Sequence, residues 1–447
     1  MEENLTDNIF LLRNLLLTNV LRSGVKLQDI NSSYERKYKR KLCLLDAKDA
    51  KKVKTVRDFY KKAKDYFDKQ HINWDTDAFD MVDFHNVISK YADDIHPAVK
   101  RDSFISAVGH DAINTSITNI LIEGSNYRTL AERQARSKIL NSDYYLRAGL
   151  IPDIIQEFTK NTINHSIRNF FISLAAQSLV ESKNSEQFKI ILSLLGLTNK
   201  GFTNILDENP NQLYDYCIDL ADSTIDFVKR SLKRDISYPT DDGFEYALEL
   251  LSISSLALAI RGSMKSMVGK LFEKLILGTA LSLFGFEYLK TAPEYDEDEY
   301  TKLCNAQIPY FWLSSTEQKG REKDATIMYK DRLIDIDIGL IGKGNPEVAA
   351  DKLSRFKAEY DFENKSFIAT TIILLANVNN GEIIKNSANK YKGKYVGITD
   401  NPTWLLQLNT DIFDFIDPNH ELLNSFTTTD ENQLKEQIKK TNFNKFL

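Results

Sequence analysis

Cysteine is scarce in this chain: three in 447 residues, at Cys43, Cys217 and Cys304. They lie far apart and show no metal-ligand spacing. That argues against a disulfide-built fold and a thiolate zinc site, and it fits a reducing, cytoplasmic setting. Histidine is also sparse, with six residues and no His-rich motif, so a zinc centre is not expected. No apolar run is long enough to cross a bilayer. The longest, near Leu250 to Ile260, is interrupted by Ser252, Ser254 and Ser255 and then meets Arg261. The opening residues, Met1-Glu-Glu-Asn-Leu5, lack the positive segment of a secretory signal, so no membrane partner is expected. Positive charge is not in excess either. The formal net charge is -5, and any polyanion partner must be read from local clusters.

What the chain has is length and two contrasting halves. At 447 residues it can bury a sizeable core and suggests about two or three domains. Up to about Ser263 the apolar residues recur at helical spacing, in Asn8 to Leu21, Ser103 to Leu121, Asp153 to Leu179, Gln187 to Leu195, Ile225 to Lys233 and Asp242 to Leu258. Turn formers punctuate this region at Asp207 to Pro210 and at Ser237 to Gly243. The spacing then predicts a long helix over 261–285, a short strand over 286–290 and an acidic exposed loop over 291–301. A hairpin, a helix over 347–359, a buried strand over 367–378, a helical segment over 388–391 and a strand over 395–398 follow. The expected class is α+β. A helical region over 1–260 precedes an α/β core over 261–447, with a mixed central sheet flanked by helices.

The hairpin carries the chemistry. Lys323 to Gly339 reads as two strands joined at Lys330-Asp331-Arg332. Strand side chains alternate between faces. Ile334, Ile336, Ile338 and Leu340 share one face, and Leu333, Asp335, Asp337 and Gly339 share the other. Asp324 opens the partner strand. Charge beside a core is costly unless it is paired or bound to metal. Three carboxylates with no cation on that strand face suit Mg²⁺, which takes oxygen ligands. The bland alternative for Asp-X-Asp is a solvated edge strand, and for Glu273 a surface charge.

Helix Gly269-Lys-Leu-Phe-Glu273, then Asp324, then Asp335-Ile-Asp337 resembles the PD-(D/E)XK nuclease superfamily, over about Arg261 to Leu408. In that family a helix glutamate precedes the hairpin, an aspartate starts its second strand, and an acidic-X-lysine triplet lies on the third. Glu273, Asp324 and Asp335 match in order and type. Two positions depart: Lys323 stands where proline is usual, and Asp337 where lysine is usual. The resemblance leaves Lys323 or Lys343 to supply the missing positive charge. The run Gly339 to Glu347, followed by Asp351-Lys-Leu-Ser-Arg-Phe356, resembles the CfrBI-type restriction endonucleases. The resemblance implies a Mg²⁺-dependent type II restriction endonuclease acting on double-stranded DNA. It also implies a homodimer and a cognate DNA methyltransferase as genetic neighbour. Asp324, Asp335, Asp337 and Glu273 would hold metal, with Lys323 in the catalytic set. Other members of the superfamily act in repair, recombination or phage defence. A non-catalytic scaffold that kept the fold is the reading that the absent lysine favours.

Candidate DNA contacts fall in two places. Arg36-Lys-Tyr-Lys-Arg-Lys41 opens a basic tract with interleaved aromatics, so Arg36, Lys39, Arg40 and Lys41 are candidates for phosphate neutralisation. Around the core, Arg261 and Lys265 lie on the Glu273 helix, and Lys343, Lys352 and Arg355 follow the hairpin. A second cluster, Arg128, Arg133, Arg136 and Lys138 around Tyr127, reads first as a surface helix. His85 and His110, each beside an aspartate, read as structural. Trp312 and Trp404 read as core anchors.

Overall fold

The computed structural model describes residues 82–125, 127–162, 165–208, 212–293, 302–303, 305–313, 323–330, 332–340, 360–361, 366–367, 370–376, 381–390, 393–399, 401–417, 426 and 431–447. Its helices, in chain order, are α1 (His85–Ile95), α2 (Arg101–Val108), α3 (His110–Glu123), α4 (Arg128–Tyr145), α5 (Ile151–Asn161), α6 (Ile167–Val180), α7 (Glu186–Leu194), α8 (Asn199–Glu208), α9 (Gln212–Leu232), α10 (Asp242–Leu283), α11 (Gly381–Lys390), α12 (Trp404–Ile416) and α13 (Glu431–Lys440). The strands are β1 (Glu287–Tyr288), β2 (Tyr310–Leu313), β3 (Ala325–Tyr329), β4 (Arg332–Leu340), β5 (Tyr360–Asp361), β6 (Ser366–Phe367), β7 (Thr370–Ala376) and β8 (Lys394–Gly397). The protein is therefore α+β. The expected helix over 347–359 and acidic segment 294–301 lie outside the described residues, as does the tract Arg36–Lys41.

Two compact units emerge. One comprises Met1–Ala98 and Ala135–Met264, the other Val99–Gln134 and Lys265–Leu447. Segment 99–134, read from sequence as part of the 1–260 helical region, groups with the sheet.

The first unit is helical because its apolar stripes meet one another. Phe170 sits at the centre of an aromatic cluster, with ring centroids 5.3 Å from Phe158, 5.6 Å from Phe171, 5.3 Å from Phe244 and 6.1 Å from Phe84. All five rings are fully buried. Helix starts are capped by side-chain oxygens: Ser166 accepts from the Asn169 N–H and Ser185 from the Phe188 N–H.

In the second unit a six-stranded mixed sheet runs in the order β1-β2-β3-β4-β7-β8. β1 and β2 are parallel, β2–β3 and β3–β4 antiparallel, and β4–β7 and β7–β8 parallel. The hairpin forms as its sequence directs, with Tyr329 opposite Arg332 and Lys330 in the left-handed region at φ 54°. β7, the expected buried strand, lies between β4 and β8. Helix α12 packs on β8 and β4, and α11 on β8. Trp404 of α12 is fully buried and its indole N–H donates to the Ile120 carbonyl of α3 at 3.1 Å. Trp312, by contrast, is half-buried on β2, and its neighbour Phe311 is the core anchor at 0% exposure.

One expectation is corrected outright. The apolar run broken by serines is the middle of a single 42-residue helix, α10. The serine hydroxyls do not end it because they bond back to carbonyls, Ser252 to Leu248 at 2.6 Å and Ser254 to Leu250 at 2.6 Å. Arg261 and Gly262 stay on its exposed side. Among the described residues it is the one helix long and apolar enough to cross a membrane, and half of its most apolar window is buried inside the protein.

The C-terminal part of α10 is pinned by a glycine. A Cβ on Gly278 would lie 2.6 Å from the Phe446 ring, which also meets Tyr288 of β1 at 5.2 Å and Phe311 of β2 at 6.3 Å. Nothing lies within 4 Å of the corresponding point on Gly262. Gly278→Ala is therefore expected to destabilise by roughly 1–3 kcal/mol through overpacking. Gly262→Ala is expected to stabilise by up to about 1 kcal/mol through helix propensity. Urea titrations of the two variants check the opposite signs.

Candidate active site

β4 sits between β3 and β7, so both of its edges are hydrogen-bonded within the sheet. Ile334, Ile336 and Ile338 fill one face at 0%, 0% and 1% exposure. Each contributes on the order of 1.5–3 kcal/mol of burial. The alternation that buries them commits Asp335 and Asp337 to the other face, where they are 5% and 3% exposed. The solvated-edge alternative is thereby overturned: β4 is a central strand and its carboxylates are buried.

Buried carboxylates need compensation. Lys323 provides it for Asp335, its Nζ pairing with Oδ2, while the Thr326 hydroxyl donates to Oδ1 at 2.8 Å. Thr326 lies directly opposite Asp335 in the β3–β4 register. The cation missing from β4 itself thus arrives from the residue before Asp324. Asp324 extends the same ladder. Its backbone N–H donates to the Ile336 carbonyl at 3.0 Å, and its Oδ2 accepts from the Ile338 N–H at 2.8 Å. A side chain there does the work of a strand carbonyl and locks the start of β3 to β4. Thr326 carries no signal in the sequence beyond its cross-strand position, and the sequence reading missed it.

Glu273 lies on α10, half-buried, beside Tyr127. The Tyr127 ring stacks on Phe272 at 4.9 Å. Burial and then the Glu273 carboxylate push the phenol up to about 12, with Arg128 opposing. Tyr127 enters the sequence reading only as the centre of a basic cluster; its place beside Phe272 and Glu273 depends on contacts distant in sequence. Arg261 and Lys265 are exposed one turn apart on α10. Arg36, Lys39, Arg40, Lys41, Lys343, Lys352 and Arg355 lie outside the described residues.

The donor set suits a hard divalent cation in its chemistry, being oxygen throughout with two carboxylates already desolvated. Its oxygens are not gathered. Among the described residues, no three of Glu273, Asp324, Asp335 and Asp337 bring ligand oxygens within 4.8 Å of one another. The reason is visible in the partners: Asp335 is turned to Lys323 and Thr326, and Asp324 to the Ile338 N–H. A gathered group occurs in the first unit, where ligand atoms of Asp93, His96 and Glu186 lie within 4.8 Å. Lys138 stands among these acids. It donates to the Asp94 carbonyl at 2.8 Å, and burial lowers its pKa while Asp94, Glu186 and Asp93 oppose the fall. Lys138 is thus a half-buried structural lysine. His85 pairs with Glu181 at 2.7 Å, and His110 is exposed at the start of α3.

The sequence profile of the CfrBI restriction endonuclease family matches residues 111–381. The chain belongs to that family. It is also 27% identical over 327 residues to the type II restriction enzyme CfrBI of Citrobacter freundii, covering 70% of this chain and 84% of that protein. No solved structure matches it. As a family member this protein is a restriction endonuclease, a site-specific deoxyribonuclease whose substrate is DNA. The matched span contains Glu273, Asp324, Asp335, Asp337, Lys323 and Tyr127, and leaves Asp93 and His96 outside.

Lys323→Ala leaves the buried Asp335 carboxylate with a neutral partner only. It is expected to lower stability by roughly 1–3 kcal/mol, and adding Asp335→Asn should restore part of that loss. Urea titration of the single and double variants at neutral pH measures both.

Proposed function

We propose that this protein is a type II restriction endonuclease. It hydrolyses double-stranded DNA sequence-specifically in the presence of Mg²⁺ and leaves 5′-phosphate and 3′-hydroxyl ends. The observation that carries this reading is the pair of buried carboxylates, Asp335 and Asp337, on a central strand with Asp324 and Lys323 beside them. Residues 261–447 form the nuclease domain, with a PD-(D/E)XK-type core. Residues 1–260 serve DNA recognition and dimerisation.

Asp324, Asp335 and Asp337 hold the cation, with Glu273 reaching from α10. A Mg²⁺ ion held by these residues would supply Lewis-acid polarisation of the phosphate and would lower the pKa of a bound water. To free Asp335, Lys323 swings off its carboxylate. The ammonium stays close and supplies the positive charge that Asp337 cannot, for the developing charge on the phosphate. Thr326 keeps its bond to Asp335 Oδ1 and so fixes the carboxylate plane. Arg261 and Lys265 meet backbone phosphates, as do Lys343, Lys352 and Arg355, and the Arg36–Lys41 tract adds salt-dependent affinity. The active form is a homodimer, because a palindromic site presents one half-site twice. The chain works in the cytoplasm beside a cognate methyltransferase.

Incubation of phage DNA with the purified protein should give discrete fragments with Mg²⁺ and none with EDTA. Asp324→Ala and Asp335→Ala should each cut at least about 10³-fold more slowly, in line with losing metal and charge stabilisation, and should retain DNA binding in gel-shift assays. Full cleavage by either variant sinks the assignment.

A further inference from the structure

We propose that Tyr127 is the positioning residue for Glu273, its phenol laid along the Gly269–Glu273 stripe of α10 to fix the carboxylate that reaches the cation. This rests on the metal role proposed above for Glu273. Gly269, Phe272 and Glu273 lie at i, i+3 and i+4, so they share one helix face. The phenol spans that face. Its ring stacks on Phe272 at 4.9 Å and an interplanar angle of 18°. Its hydroxyl lies 3.2 Å from where a Cβ on Gly269 would sit. Glycine at 269 thus lets the hydroxyl lie against the helix one turn before Glu273.

Tyr127 is itself held firmly. It is 6% exposed, and its carbonyl accepts the N–H groups of Leu130 and Ala131 at 3.1 and 3.2 Å, so it starts helix α4. A glutamate has three rotatable bonds and loses much freedom when it is ordered. A rigid phenol beside it narrows that freedom before the cation arrives. The same placement explains why a tyrosine from the 99–134 segment is buried against the helix that carries Glu273.

The test is calorimetric titration of Mg²⁺ into the full-length protein without DNA, alongside thermal melts and cleavage rates. Tyr127→Phe keeps the stacked ring and removes the hydroxyl. It should weaken Mg²⁺ binding and slow cleavage by roughly tenfold, with the melting temperature held. Gly269→Ala should give a similar loss. Alanine favours the helix, so a defect there reports the displaced phenol and not unfolding. Tyr127→Phe placed on Glu273→Gln should add no further loss, since both act through one carboxylate. Wild-type Mg²⁺ binding by both Tyr127→Phe and Gly269→Ala, or full additivity with Glu273→Gln, overturns the proposal. If Glu273→Gln itself binds Mg²⁺ as wild type, the metal role of Glu273 falls and this proposal with it. If Glu273→Gln loses Mg²⁺ and the other two variants keep it, only the Tyr127 proposal falls.

Discussion

Two carboxylates buried on a central strand are the constraint around which the second unit is arranged. A lone ionised carboxylate in a protein interior costs several kcal/mol, and neighbouring elements answer Asp335 directly. The β3–β4 register sets Thr326 opposite Asp335, and the residue before β3 brings Lys323 onto the same carboxylate. Asp324 bonds both backbone and side chain to β4. A one-residue slip of this hairpin would send the aspartates to the isoleucine face and the isoleucines to the polar one. Parallel pairing with β7 then keeps β4 away from any sheet edge.

Helix α10 carries Glu273 and packs near its C-terminal end on Phe446. Its apolar length is buried in part, its serines satisfy themselves against their own turn, and Gly278 lets it close on Phe446 and the β1–β2 edge. In the proposed mechanism the gathered state of the site is a second arrangement of the same residues. Lys323 would leave Asp335 so that its carboxylate could take a cation, with Thr326 keeping its bond to Oδ1.

Much of this was legible in the sequence, and the physical reasons differ by element. The hairpin was readable because alternation with period two over Leu333 to Gly339 leaves one assignment of faces. β7 was readable from its β-branched apolar run, and Trp404 from its size. α10 was misread because serine and Arg261-Gly262 look like interruptions, while hydroxyl-to-carbonyl bonds and an exposed flank remove their cost. β2 is not legible because four aromatic-rich residues after Pro309 carry too little pattern, and the size of Trp312 points to it although Phe311 is the buried anchor. Thr326 and Tyr127 depend on cross-strand and long-range neighbours, which no local pattern encodes. The Asp93, His96 and Glu186 group joins α1 to α7 across about 90 residues of chain, beyond the reach of motif spacing.

The most direct test is the location of the divalent-cation site, read by Mn²⁺ binding in electron paramagnetic resonance. Wild-type protein should bind Mn²⁺. Asp335→Asn and Asp337→Asn should abolish that binding while melting as folded proteins, and His96→Ala should leave it intact. Mn²⁺ binding that survives both strand substitutions and disappears with His96→Ala would contradict the assignment of the active site to β4.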